Sequence, residues 1–433
     1  MKQYAFVWLV LCLIFSSCIT VQNSYTKLPP GKWRGILKLT DPDEVIAPVS
    51  VSDAEAKVID YFELPFNMEV SYNEAGEMEI VFLNGEERIP IKEIHFERDN
   101  TSAKDTLLLG FPEYDTRINA FYEENFIEGN WHVDYKKGYK IPILLQFGQT
   151  HRFIDHKVED TYDFDGQWDV VFEFDNPEEA YPAVGEFKRD GNSLSGTFLT
   201  ETGDYRYLDG NAYGDKLRLS VFDGSHAFLF SGSVDQDTIY GEFRSGKHYK
   251  SNWIATKNKG KNILQSPNEM TQSTTDGGAI NFSFKNSKSE QVSIQDDKYK
   301  GKLKLINIMG TWCPNCKDEI QYLKQIKKEY PEVEIISIAF ERYRDEVKVM
   351  NVLDRYKSVM EMDWPLLHGG YADKKETSEI LTFVDNIYSY PTMIMVDGDN
   401  KIIDIHTGFN GPATSKYAKF DKDFRNKLKQ YLN

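Results

Sequence analysis

Cysteine is nearly absent from this chain of 433 residues, which carries four, at positions 12, 18, 313 and 316. So few, with two crowded at the start, exclude a disulfide-stapled scaffold. They also exclude a structural zinc site, which takes four Cys or His ligands. His368 and His406 stand without a second cysteine pair near them, so no metal and no other cofactor is expected. Positive charge is short as well. Lys and Arg total 51 against 68 Asp and Glu, a net charge of -17. Nucleic-acid binding needs a basic face, so that partner is excluded. The apolar run Ala5 to Phe15 falls short of the ~20 residues that span a bilayer. The stretch 28–258 shows no long amphipathic helical period.

What is present is aromatic, with 25 Tyr and 27 Phe, residues that suit a pleated β surface. Short alternating runs such as Glu79-Ile80-Val81-Phe82-Leu83 and Leu217-Arg218-Leu219-Ser220-Val221 recur through 28–258. Asn84-Gly85, Asp190-Gly191, Asp209-Gly210 and Asp223-Gly224 punctuate them as turns. Features also repeat in order. Gly31-Lys32-Trp33 answers to Gly166-Gln167-Trp168, Asp105–Leu109 to Asp215–Leu219, and Phe126–Trp131 to Thr238–Phe243. Two related antiparallel units are expected, 28–150 and 160–258, either as separate barrels or sandwiches or as halves of one larger barrel.

Before them, Lys2, the apolar run and Phe15-Ser16-Ser17-Cys18 resemble a bacterial lipoprotein signal, with Phe15 where Leu is usual. Residues 1–18 are then a signal peptide, Cys18 the lipidated residue and 19–27 a tether. An ordinary cleaved secretory signal would export the chain equally. The polar stretch 259–276 reads as an exposed linker. Beyond it, strands and helices alternate. Lys302–Met309 and Val333–Phe340 read as buried strands. Pro314–Tyr330, Asp345–Glu361 and Asp373–Phe383 read as helices. A hairpin through Thr392–His406 and a closing helix, Ser415–Leu432, complete an α/β layer structure around one sheet. His406-Thr407-Gly408-Phe409-Asn410-Gly411-Pro412 reads as a shaped loop.

If 1–18 is removed, the only thiols left are Cys313 and Cys316. A loop that short removes little unfolded-state entropy when closed, so the pair is a poor staple. It sits where a strand hands over to a helix. The free N–H groups and dipole of a helix start favour a thiolate, and the two-residue spacing brings a second sulfur within bonding distance. Cys313 is the expected nucleophile and Cys316 the resolving thiol. Pro314 suits the first helical turn.

Gly310-Thr311-Trp312-Cys313-Pro314-Asn315-Cys316, followed much later by Tyr390-Pro391-Thr392, resembles the TlpA/ResA-like thioredoxin-family disulfide reductases. The resemblance covers about the last third of the chain and implies a thioredoxin fold over 277–433. It implies a cis proline at Pro391, with Tyr390 lending backbone hydrogen bonds to substrate and Trp312 shielding the site. It makes Glu319 the proton acceptor and donor for Cys316. Asn307, where thioredoxins proper carry a buried acid, reads as structural. The implied activity is reduction of disulfides in exported client proteins, apocytochrome c among the candidates. A membrane electron donor would restore the dithiol, and a lipid anchor would hold the protein on the periplasmic side of a membrane. The alternative is a ligand- or partner-binding lipoprotein whose β-rich region carries the main role.

Overall fold

The computed structural model describes residues 27–39, 62–159 and 162–432. The leader, Cys12, Cys18 and most of the tether lie outside the described residues. Among those described, no helix is long and apolar enough to cross a membrane.

Nine antiparallel strands form the first β unit: β1 (Gly31–Lys38), β2 (Glu63–Tyr72), β3 (Met78–Asn84), β4 (Glu87–Pro90), β5 (Glu93–Asp99), β6 (Lys104–Phe111), β7 (Thr116–Glu123), β8 (Phe126–Val133) and β9 (Lys140–Phe147). Their order is β4-β3-β2-β1-β9-β8-β7-β6-β5, so that among the described residues β4 and β5 form the two edges of an open sheet. Nine more follow: β10 (Gly166–Phe172), β11 (Tyr181–Asp190), β12 (Ser193–Thr200), β13 (Gly203–Asp204), β14 (Leu208–Tyr213), β15 (Lys216–Phe222), β16 (Ala227–Asp235), β17 (Thr238–Ser245) and β18 (Tyr249–Lys257). Here β11 also pairs with β12, so eight strands close into a barrel and β13 hangs on β12. Of the two arrangements expected, the structure adopts separate barrel-like units, one closed and one open.

The repeat read in the sequence has a structural counterpart. Trp33 on β1 and Trp168 on β10 are both fully buried. Each indole N–H donates to the carbonyl four residues earlier, at Pro29 and Phe164. Burying a large side chain of this kind is worth ~1.5–3 kcal/mol, so each tryptophan anchors its unit's core.

The hairpin β15–β16 joins the two units. Its Phe222 enters the open unit and meets Phe66, Phe82, Phe111 and Trp131 at 5.0–6.1 Å between ring centroids. Asn84 brackets it, donating to the Phe222 carbonyl and accepting from its N–H. Arg152, buried between the units, donates to Asn67, Asn84 and the Leu83 carbonyl on one side and to Ser220 on the other. The open sheet completes its core with side chains of its neighbour.

The third region is a seven-stranded sheet of order β20-β19-β23-β22-β21-β24-β25. Strands β21 (Lys304–Met309), β22 (Glu334–Glu341) and β23 (Leu366–Tyr371) run parallel, while β24 (Thr392–Val396) and β25 (Ile402–Thr407) turn back beside β21. The short strands β19 (Ser283–Asn286) and β20 (Gln291–Ser293) extend the other edge. This is the expected thioredoxin fold. Leu305 and Met309 face one core with helices α2 (Pro314–Glu329), α3 (Glu346–Val359) and α5 (Tyr417–Leu432). Ile306 and Ile308 face the other, which takes in Leu381 and Phe383 after α4 (Lys374–Ile380).

The stretch read as an exposed linker departs from that reading in its second half. Helix α1 (Pro267–Met270) lies against β25, with Asn268 donating to the Ile405 carbonyl and Thr271 N–H to Thr407 Oγ1. Its polar residues face strand-end carbonyls and hydroxyls, which satisfies them as water would.

Candidate active site

Strand β21 is buried along its whole length and delivers the chain to the turn Gly310-Thr311-Trp312. A Cβ at Gly310 would stand 2.4 Å from the Trp312 ring, so the turn closes only with glycine. Cys313 caps α2 in an extended conformation, and its sulfur accepts from the Cys316 N–H at 3.3 Å. Pro314 occupies the first turn, where a missing N–H removes no helical bond. Cys313 is 7% exposed and Cys316 not at all. Burial pushes the Cys316 thiol well up, and the neighbouring Cys313 and Glu319 add to the rise. The outer sulfur is the reachable one; the inner is held as a thiol.

Glu319 is fully buried. One carboxyl oxygen accepts from Asn307 Nδ2, and the other has no partner among the described residues. Burial, then the Cys313 charge, raises this carboxyl well above its ordinary range. Asn307 is positioned in turn. Its Oδ1 accepts from Ser337 Oγ at 3.1 Å, and that hydroxyl accepts from Trp364 Nε1 at 2.9 Å. A relay of side chains from β22 and beyond thus aims Glu319.

The Tyr390–Pro391 peptide bond is cis. The Tyr390 carbonyl lies 3.5 Å from the Cys313 sulfur. The Tyr390 ring meets Trp312 edge-on at 5.6 Å, and the Trp312 indole donates to the Phe340 carbonyl at 3.0 Å. Cys313, Cys316, Glu319, Trp312, Tyr390 and Pro391 therefore converge in one place, whereas Cys18 lies outside the described residues.

Sequence reasoning overlooked two groups. Glu341 ends β22 and accepts from both the N–H and the hydroxyl of Thr311, at 2.9 and 2.7 Å, which pins the active-site turn. Burial pushes its carboxyl up to about 7. The available signal was position, because the carboxyl ends of parallel strands are where such sheets carry sites.

The second group belongs to the closed barrel. Arg206 is buried and pairs with Asp318 on α2 and with Glu87 of β4, and stands 3.5 Å from Asp223. Burial alone would lower its guanidinium, but Asp318, Glu87 and Asp223 hold it well up. Asp318 itself is pushed by burial up to about 6. Asp204 carries the contact further, accepting from Gly411 N–H at 2.7 Å, in the shaped loop after β25. Gly203 comes so close to α2 that a Cβ there would lie 2.3 Å from Asn315 Nδ2. The barrel lies across the cysteine turn and leaves a cleft of about 410 Å³ over Cys313.

Comparison with known proteins matches this region. The redoxin family model covers residues 275–420. The thioredoxin-like protein YneN of Bacillus subtilis is 32% identical over 132 residues, 30% of this chain and 69% of its own. The thiol-disulfide oxidoreductase ResA of Halalkalibacterium halodurans is 27% identical over 30% of this chain and 66% of its own. The chain thus spans about two thirds of the length of these relatives. A solved thiol-disulfide oxidoreductase from Bacteroides fragilis is 21% identical, covers 33% of this chain and 98% of its own, and has a TM-score of 0.25. The chain belongs to the ResA/TlpA-like thioredoxin family, and the shared portion is the one that carries Cys313 and Cys316.

Proposed function

We propose that this protein is an exported thiol–disulfide oxidoreductase that reduces disulfides in client proteins through Cys313 and Cys316. The observation that carries the reading is the Cys313 sulfur at the start of α2, accepting from the Cys316 N–H at 3.3 Å, with Cys316 buried behind it. A helix start stabilises a thiolate, and only the thiolate attacks a disulfide. Attack forms a Cys313–client mixed disulfide and releases one client thiolate. The Cys313 charge then disappears, and with it part of what holds a proton on Glu319. Glu319 gives that proton up, and the departing thiolate is its acceptor. Ionised Glu319 then takes the Cys316 proton as Cys316 attacks Cys313. The second client sulfur leaves as a thiolate and takes that proton from Glu319, so the client departs as a dithiol and the protein as a disulfide with Glu319 ionised.

Export rests on the leader, anchoring on Cys18, and a periplasmic setting on the family. Regeneration requires an electron donor, which a membrane protein would supply, and cytochrome c maturation is one process that needs such a reductant. An insulin-reduction assay tests the activity. The wild type reduces insulin with dithiothreitol as donor, and Cys313→Ser falls to the background rate. An unchanged rate in Cys313→Ser would remove the reading.

A further inference from the structure

The closed barrel does more than pack beside the redox pair. Three of its groups bond to the active-site rim on different sides of Cys313. Ser225 Oγ donates to the Trp312 carbonyl at 3.2 Å. The Asp204 carbonyl accepts from Asn315 at 3.3 Å, and the Thr202 carbonyl from Ser389 at 2.8 Å. The cleft left between them, about 410 Å³, falls at the lower end of the ~300–1,000 Å³ that binding clefts span. A flat protein surface cannot bring its disulfide to Cys313 past this wall, but a narrow segment can.

The lining of the cleft indicates which segment. Tyr181, Tyr205, His226 and Phe228 come from the barrel, and Trp312 and Tyr390 from the thioredoxin fold. The two barrel tyrosines share a hydrogen bond of 2.7 Å, and His226 stacks on Phe228 at 4.3 Å, so the rings are held in place. Aromatic walls reward apolar and aromatic side chains. Behind the barrel wall, Glu87, Asp223 and Asp318 gather around the Arg206 guanidinium, Asp204 accepts from the Arg206 backbone N–H, and His226 stands beside Asp223. That surplus of acid opposes anionic neighbours of the reacting cysteine.

We infer that the closed barrel is the substrate-selecting wall of the site, and that the substrate is a cysteine in a short extended segment flanked by apolar or aromatic residues. This rests on the oxidoreductase reading and specifies its substrate. Disulfides set in compact protein surfaces react more slowly, and so do strongly acidic small disulfides. The chemistry is the exchange described above, which leaves the segment reduced and Cys313 joined to Cys316.

The test compares three probes with the full-length protein and dithiothreitol. They are a pentapeptide disulfide with Phe on each side of its cysteine, the same peptide with Asp in those places, and native ribonuclease A. The Phe-flanked peptide is expected to exceed the Asp-flanked one in kcat/KM by about tenfold, the equivalent of one good aromatic contact. Ribonuclease A should be slower than either. Thr202→Trp, which fills the cleft from the barrel side, should bring the ratio between the peptides close to one. A second measurement does not depend on how that variant folds. In Cys316→Ser, the Phe-flanked peptide is trapped on Cys313, and amide exchange across 200–205 and 226–228 should slow. Equal rates for all three probes, a ratio unchanged in Thr202→Trp, or unaltered exchange in the trapped complex would each overturn the proposal and leave the oxidoreductase reading intact. Failure of the wild type to reduce any probe would overturn both.

Discussion

Glu319 has a carboxyl oxygen buried beside the two cysteines and without a partner among the described residues, a position suited to moving a proton. Glu319→Gln keeps the shape and a contact to Asn307 but cannot take a proton. Resolution by Cys316 should slow by roughly 10²-fold, the lower range for general acid–base catalysis, and the mixed disulfide on Cys313 should accumulate. Intact-protein mass spectrometry during turnover checks this. Glu341 bears on stability. Its carboxyl ionises near its ordinary 4.5 in the unfolded chain and near 7 in the fold. Between those values the folded state binds more protons, so stability is full below about 4.5 and falls as pH rises towards 7. At about 1.4 kcal/mol per pH unit the loss approaches ~3 kcal/mol. Denaturant titrations should show Glu341→Gln with a flatter profile over that window; an unchanged slope would count against the assignment. The cysteine pair was legible because spacing alone puts two thiols within reach of each other. The burial of Glu319 and Glu341 was not, because desolvation is decided by what packs over a residue.

The hairpin β15–β16 is the element on which the assembly turns. It forms part of the wall of one barrel, fills the core of the other with Phe222 and touches the active-site turn through Ser225. Phe222→Ala should cost ~3–5 kcal/mol, as large-to-small changes in packed cores do, and calorimetry should show the melting temperature fall accordingly. A near-neutral result would mean that Phe222 does not complete that core. Period-two runs with Asn-Gly and Asp-Gly turns made most of the strands readable. Strand β23 was missed because Gly369-Gly370 reads as a break, although it pairs in parallel with β22 past an irregularity at Ala339 and Phe340. The role of Phe222 was hidden for a different reason. Its pattern marks a residue facing a core, and nothing local says that the core belongs to another unit.

In the whole molecule, a thioredoxin fold supplies the chemistry and two β units enclose it. Arg206 brings charges from all three parts to one buried point, a few residues from the sulfurs. Sequence reading placed the barrels and the redox domain side by side in the chain. Their arrangement around Cys313 depends on contacts between residues far apart in the chain, such as Ser225 with Trp312 and Thr202 with Ser389, which no local pattern encodes. The account as a whole depends on Cys313 and Cys316 interconverting between dithiol and disulfide at a reducing potential. Equilibration of the full-length protein in glutathione buffers, read by mass and by alkylation of each thiol, measures this directly. The account predicts one two-electron transition at a potential below about −200 mV, on the reductant side of the known range. A transition near −120 mV, or no disulfide between the two cysteines in any buffer, would contradict it.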